Sequence, residues 1–181
     1  MIYIVCVGNL KEKYLSDATK EYIKRISRYQ KIEIVELKES TLTPYTVALK
    51  EEAKEIVKHL KGYVIKMAIN GKQLSSEELA EKIEYIKLSG HSDITLLIGS
   101  SHGLDESIKA NFDLSISKMT FPHQLTRVIL LEQIYRAFFI YLIGSFSLTS
   151  SSCGFILFTL HNCSMLMCFP ISSTFMFSSN R

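Results

Sequence analysis

Charge is missing from the end of this 181-residue sequence: no Asp, Glu, Lys or Arg occurs from Ala137 to Asn180. Such a segment cannot supply the polar outer face of an amphipathic helix or strand, so it does not read as part of an ordinary soluble fold. Cysteine is nearly absent from the remainder. Cys6 stands alone before residue 139, which excludes a disulfide framework or a cysteine cluster there and leaves a single buried thiol. The chain also lacks G-x-G-x-x-G and G-x-x-x-x-G-K-[ST], so nicotinamide or nucleoside-triphosphate binding has no support. No Ser-His-Asp order or carboxylate pair points to hydrolysis. No signal peptide precedes Ile2 to Val7, an apolar run that reads as a strand, and a cytoplasmic location is expected.

The chain is two different texts. Residues 1 to 138 hold 20 basic and 18 acidic side chains, an ordinary soluble surface of net charge +2. Residues 139 to 181 hold one charge, Arg181, with ten Ser, seven of the ten Phe and three of the four Cys, and neither helical nor strand periodicity. A domain is therefore expected over 1–138. The segment 139–181 reads as a shifted reading frame or a fused non-native end, disordered or aggregation-prone through stretches such as Phe155 to Leu160. Residues 138 to 160 could alternatively anchor the chain in a membrane, although Ser147, Thr149 and Ser150 to Ser152 split the run, and no stable membrane partner is expected. Cys153, His161, Cys163 and Cys168 lack the paired spacing of a zinc site, so no metal is expected.

Strand and helix signals alternate before residue 139. Strands are expected at Ile2 to Val7, Ile32 to Leu37, Tyr63 to Ile69, Asp93 to Ile98 and Leu114 to Ser117, the second with a wet face or at an edge. Helices are expected over Leu10 to Tyr29, over Val47 to Leu60 with Leu49, Ala53, Ile56 and Leu60 inward, from a Ser75/Glu78 capping box to about Leu88, over Asp105 to about Ala110, and from Pro122 onward. Asn70-Gly71 reads as a turn closing the third strand. This alternation implies an α/β domain with a mainly parallel sheet covered on both faces.

Open α/β sheets place ligands at the carboxyl ends of their strands. Gly99 to Gly103 and Ser117 to Phe121 both follow strand ends, and together they suggest a cleft lined by backbone groups and suited to an uncharged or zwitterionic ligand. A plain tight turn explains the two glycines equally well. His123 opens a helix, where the dipole disfavours imidazolium; it could accept a proton, but capping the first turn is the simpler role. Arg127 and Arg136 lie on the same helix, whose stripe of Val128, Leu131, Ile134, Tyr135 and Phe138 reads as core or a dimer seam. His59, His91, His102 and His161 show no ligand spacing.

Several segments resemble one known family. Gly8-Asn9-Leu10-Lys11-Glu12-Lys13-Tyr14 is similar to its G-[KN]-L-K-E-K-Y segment, and Ile69-Asn70-Gly71-Lys72 to its central turn. Leu97-Ile98-Gly99-Ser100-Ser101-His102-Gly103-Leu104 is similar to its I-G-G-S-x-G-L loop, with Ser100 in place of the second glycine. The block from Leu114 to Phe138, with Thr120-Phe121-Pro122-His123-Gln124-Leu125-Thr126-Arg127 at its heart, carries the strongest likeness. Residues 1–138 resemble the rRNA large-subunit methyltransferase H family, of the SPOUT class. The resemblance implies a C-terminal trefoil knot and S-adenosylmethionine held by Met67, Gly99 and the run Ile116, Ser117, Lys118, Met119, Thr120 and Phe121. It implies a homodimer that methylates N3 of a pseudouridine in 23S rRNA on the ribosome, with Lys11, Lys13 and Arg25 as candidates for phosphate contacts.

The family's ending, R-G-x-x-Y-H-[KR], is absent here: Phe139-Ile140-Tyr141-Leu142-Ile143-Gly144-Ser145 follows Phe138. His123 and Arg127 are the remaining weak candidates for catalytic roles. A catalytically silent module that binds S-adenosylmethionine or the ribosome is the alternative.

Overall fold

The computed structural model describes the backbone of residues 1–149 and the side chains of residues 1–142. Five strands, β1 (Ile2–Val7), β2 (Ile32–Leu37), β3 (Tyr63–Gln73), β4 (Ile94–Ile98) and β5 (Phe112–Ser115), alternate with helices α1 (Lys13–Ile26), α2 (Tyr45–His59) and α3 (Ser76–Leu88), and α4 (His123–Thr149) follows β5. They form one sheet in the order β2-β1-β4-β3-β5, and every pairing is parallel. The expected α/β architecture is what is found.

The sheet divides the core in two. On one face Ile4, Cys6, Ile65, Leu96, Ile98 and Leu114 pack under α1, α3 and α4. On the other, Val5, Val7 and Leu97 meet Ala53 and Ile56 of α2 and Ile108 of the β4–β5 connection. The uninterrupted apolar runs of β1 and β4 follow from this double coverage: every residue of both strands is buried. β2 and β5 are the edge strands, and in β2 Glu33 and Glu36 are exposed on opposite faces, as their spacing of three requires.

Four differences from the sequence reading have physical causes. The Asn70-Gly71 pair is not a turn. β3 runs through it to Gln73, and residues 68–71 bulge, so that Met67 and Lys72 both align with Leu114. Gly71 is needed there because a Cβ would lie 2.7 Å from the Leu114 carbonyl carbon and 2.8 Å from the Asp113 carbonyl oxygen. Residues 105–110 form no helix; the Ser107 amide donates to the Asp105 carboxylate at 2.9 Å, and Ile108 alone is buried as a plug. The inward stripe of α2 is Ala48, Glu52, Ala53 and Ile56, with Leu49 and Leu60 only half-buried; the Glu52 carboxylate accepts the Ser40 amide at 2.8 Å. Finally, α4 does not end where the composition changes but continues through Phe139 to Thr149. Phe139 stacks on Tyr135 with ring centroids 6.3 Å apart, and Ile140 packs against the core. The expectations for the zinc-type side chains and for residues 150–181 lie outside the described residues. Among the described residues no helix is long and apolar enough to cross a membrane.

The Ser75/Glu78 capping box is present as expected, with the Glu78 amide donating to the Ser75 hydroxyl at 3.2 Å and the Ser75 amide to the Glu78 carboxylate at 2.7 Å. It fixes the point where the chain leaves β3 and turns down the sheet face, beside the start of the candidate site.

Candidate functional site

All five strands point the same way, so their carboxyl ends collect the loops at one edge of the sheet. β4, β3 and β5 are adjacent there. Met67 pairs with Leu114, two residues before Ile116, and Lys66 pairs with Leu97, two before Gly99. Met67, Gly99 and the run 116–121 are thus brought to one end of three neighbouring strands.

The run after β5 is the least engaged backbone at that edge. From Ser117 to Phe121 the bonds found are the Ser115 hydroxyl to the Ser117 carbonyl at 3.0 Å and the Met119 amide to the Ser117 hydroxyl at 3.1 Å. Lys118, Met119 and Thr120 are exposed. Free amides and carbonyls beside an apolar floor suit a zwitterionic ligand such as S-adenosylmethionine, so the residues fit the cofactor that the resemblance implies. A cavity of about 280 Å³ opens beneath, between Ser75, Ser76, Ser115, Ile116, Ile129 and Gln133. The Ser76 hydroxyl donates to the Gln133 side-chain oxygen at 2.7 Å. Of the eight expected cofactor residues, Ile116 alone lines this cavity.

The loop after β4 is a tight turn folded on itself. The Ser100 amide donates to the Gly103 carbonyl at 3.1 Å, and the Gly103 amide to the Ser100 carbonyl at 3.0 Å. A Cβ at residue 99 would stand 2.4 Å from the Gly103 carbonyl oxygen, and Gly103 itself has φ of 92°. Both glycines are therefore required by the turn, whatever ligand lies beside it. Ser100 is tolerated because its side chain tucks inward, buried, toward the Gly103 carbonyl. Gly99→Ala is expected to cost about 1–3 kcal/mol, the usual penalty for forcing an atom into a packed site. Urea denaturation of both proteins measures it.

Beside this edge lies a polar cluster that the sequence reading missed. Glu39, just past β2, accepts the Ser101 hydroxyl at 2.5 Å and the Ser101 amide at 3.3 Å. The Ser101 hydroxyl, helped by the nearby His123 and His102, holds the Glu39 carboxyl below the ordinary carboxylate range. His123 caps nothing visible; its Nε2 and the Glu39 Oε2 approach the same point over Gly8, 3.2 and 3.9 Å from where a Cβ there would sit. His102 stacks on Tyr45 with centroids 5.9 Å apart. Glu39 gave no signal in the sequence, being one carboxylate in a loop.

Arg127 is 0% exposed and reaches back across the sheet edge. It donates to the Glu36 carboxylate and, at 2.8 Å, to the Gly8 carbonyl. The start of α4 is thereby clamped to the ends of β1 and β2, and the Lys11 amide adds a bond to the Gln124 side chain at 3.1 Å. Arg127 holds this geometry through its bonds to Glu36 and Gly8. Cys6 lies against it. Burial, partly offset by Arg127, pushes the Cys6 thiol up to about 12. The folded state binds this proton more tightly than the unfolded chain, whose thiol titrates near 9.0. Its contribution is complete below pH 9 and is lost as pH rises toward 12. Native Cys6 should resist iodoacetamide at pH 8 and react once the chain is unfolded, as peptide mass mapping will show.

The profile of a family described as "Predicted SPOUT methyltransferase" matches residues 1–142. The chain belongs to the SPOUT methyltransferase family. It is 53% identical over 148 residues to the ribosomal RNA large subunit methyltransferase H of Clostridium novyi, covering 76% of this chain and 92% of that protein. The protein of the same name from Caldicellulosiruptor saccharolyticus is 49% identical over 145 residues, covering 76% of this chain and 94% of its own length. A five-stranded parallel sheet with helices on both faces is the frame on which this SPOUT domain sets its strand-end loops. Among the described residues no group of His, Cys, Asp and Glu could hold a metal ion.

Proposed function

We propose that this protein is an S-adenosylmethionine-dependent methyltransferase that modifies N3 of a pseudouridine in 23S rRNA, acting as a homodimer on cytoplasmic ribosomes. The observation that carries the reading is the open backbone run from Ser117 to Phe121, beside Met67 and Gly99, in a SPOUT domain whose relatives are named rRNA large subunit methyltransferases. The run 116–121 is proposed to hold the cofactor through backbone donors and acceptors, with Gly99 and Met67 bounding it and the chain threaded there into the family's knot.

When bound, the cofactor would supply a methyl group already activated on a sulfonium. The protein's part is then mainly alignment, together with help in losing the N3 proton of the base. Arg127 is a positioning residue in this scheme, since it fixes the start of α4 from which the run 116–121 hangs. The family ending that would assist proton loss is absent, so this chain is proposed to retain the cofactor and to turn over slowly.

The test is methyl transfer from labelled S-adenosylmethionine to ribosomes lacking the modification, followed by mass spectrometry of the nucleosides. Label in 3-methylpseudouridine is the expected product, and label in any other nucleoside contradicts the reading. Cofactor binding with no label at all favours the silent-module alternative, for which the missing ending is the supporting observation.

A further inference from the structure

The charge of this nearly balanced domain is unevenly placed. Residues 11–31 carry seven basic and three acidic side chains, a net +4, while residues 32–138 carry a net −2. α2 shows what a merely solvated helix looks like here. Its Lys50, Lys54 and Lys58 are matched by Glu51, Glu52 and Glu55, with Lys54–Glu51 and Lys58–Glu55 pairs at 2.6 Å. α1 differs. Lys13, Lys20 and Lys24, with Arg28 just past its end, are exposed and form no ion pair among the described residues. The exception on α1 is Arg25, which pairs with Glu21 at 2.9 Å and lies 5.6 Å from the Tyr22 ring and 5.9 Å from the Tyr135 ring. It belongs to the seam between α1 and α4.

Lys13, Lys20 and Lys24 fall on one side of the helix, and at 1.5 Å rise per residue the row extends over roughly 16 Å. Its head is at the sheet edge that carries the candidate site, because Lys11 is bonded to Gln124 beside His123. Its tail points away along the body of the domain. We infer that the exposed face of α1, with Lys13, Lys20, Lys24 and Arg28, is a docking strip for the phosphate backbone of RNA leading away from the target nucleotide.

The composition of the strip selects this partner. A membrane-surface helix needs an apolar face to insert, and the apolar side of α1 (Leu15, Ile23, Ile26) is already packed within the domain. Protein interfaces are depleted in Lys at their centres, where this strip is richest. Asp17 lies within the row and Glu21 beside it, but three ammonium groups and a guanidinium outnumber them, and an excess of cations with little base-reading chemistry is the arrangement that positions a phosphate backbone without reading sequence. The inference deepens the rRNA reading above and rests on it.

The test compares the full chain with a Lys13→Gln, Lys20→Gln, Lys24→Gln, Arg28→Gln variant in binding to 70S ribosomes across a salt series. Neutralising four phosphate contacts should lower the slope of log K against log salt by roughly 3, and affinity near 0.1 M salt by about tenfold or more. S-adenosylmethionine affinity and Tm should not change, because none of the four residues touches the cofactor run. Equal slopes and equal ribosome affinities overturn the inference and leave the proposed function standing. A variant that loses binding to phosphatidylserine vesicles but not to ribosomes overturns it in favour of a membrane surface. A wild-type chain that binds S-adenosylmethionine but not ribosomes overturns the ribosomal reading, and the strip with it.

Discussion

Methyl transfer to ribosomes by this chain is expected to run about 10²- to 10⁴-fold slower than by a variant in which the Arg-Gly-x-x-Tyr-His-Lys ending is restored after Phe138, the range that a positioned general base contributes. The chemistry explains why the loss falls on turnover. The sulfonium needs no further activation, so alignment by the run 116–121 remains, but the imide proton must still leave. Among the described residues the imidazoles near this sheet edge are those of His123 and His102, both close to the Glu39 carboxylate. Both sit in a cluster built around Gly8 and Ser101, not on the open run itself. Cofactor affinity should be similar in the two proteins, because none of the eight residues proposed to hold it lies in the exchanged segment. Equal rates would show that the ending is dispensable. His123→Asn and His102→Asn would then be expected to lower the rate, and an unchanged pH–rate profile in both would leave neither as the base.

Arg127→Ala should destabilise the domain by about 3 kcal/mol, the lower end of the range for removing one partner of a buried ion pair. The low end applies because the Glu36 side chain is 39% exposed and can be rehydrated once its partner is gone. The Gly8 carbonyl, by contrast, loses its bond in a buried position. The Arg127 Nε has no hydrogen-bond partner among the described residues, a cost already present in the native state that the substitution removes. Arg127→Lys should recover little, since an ammonium cannot reach two acceptors with the fixed fork of a guanidinium. Urea denaturation followed by circular dichroism gives both values. A loss under about 1 kcal/mol would mean that α4 is held by its apolar stripe alone.

The sheet was legible because its signals are local. Val, Ile and Leu runs, two of them ended by Gly8 and Gly99, place the strands, and Ser75 with Glu78 marks a helix start that the structure reproduces bond for bond. The bulge at residues 68–71 was not legible. Asn-Gly favours a turn taken alone, and only the close approach of β5 shows that Gly71 is there to admit another backbone. The same applies to the candidate site. Gly99 and the run 116–121 stand out by position after strands, but Glu36, Glu39 and Gly8 become partners of Arg127 and His123 only through pairings more than eighty residues apart. Glu36 in particular looked like a solvated charge on an edge strand, yet it shares its face with Ile32 and Ile34 and is the counter-ion of the most buried charge in the domain. The change of composition at Phe139 is sharp in sequence yet has no counterpart in the backbone, because an apolar continuation is no obstacle to a helix already nucleated.

The strand-end run and its flanking glycine turn are proposed to form a cofactor site although the family ending is absent from this chain. Calorimetric titration of S-adenosylmethionine into the full chain and into its Gly99→Ala variant tests this most directly. One site per chain, weakened at least about tenfold by the alanine that pushes the turn off Gly103, is the expected result. Absence of binding by the folded wild-type chain, or affinity untouched by Gly99→Ala, would contradict it.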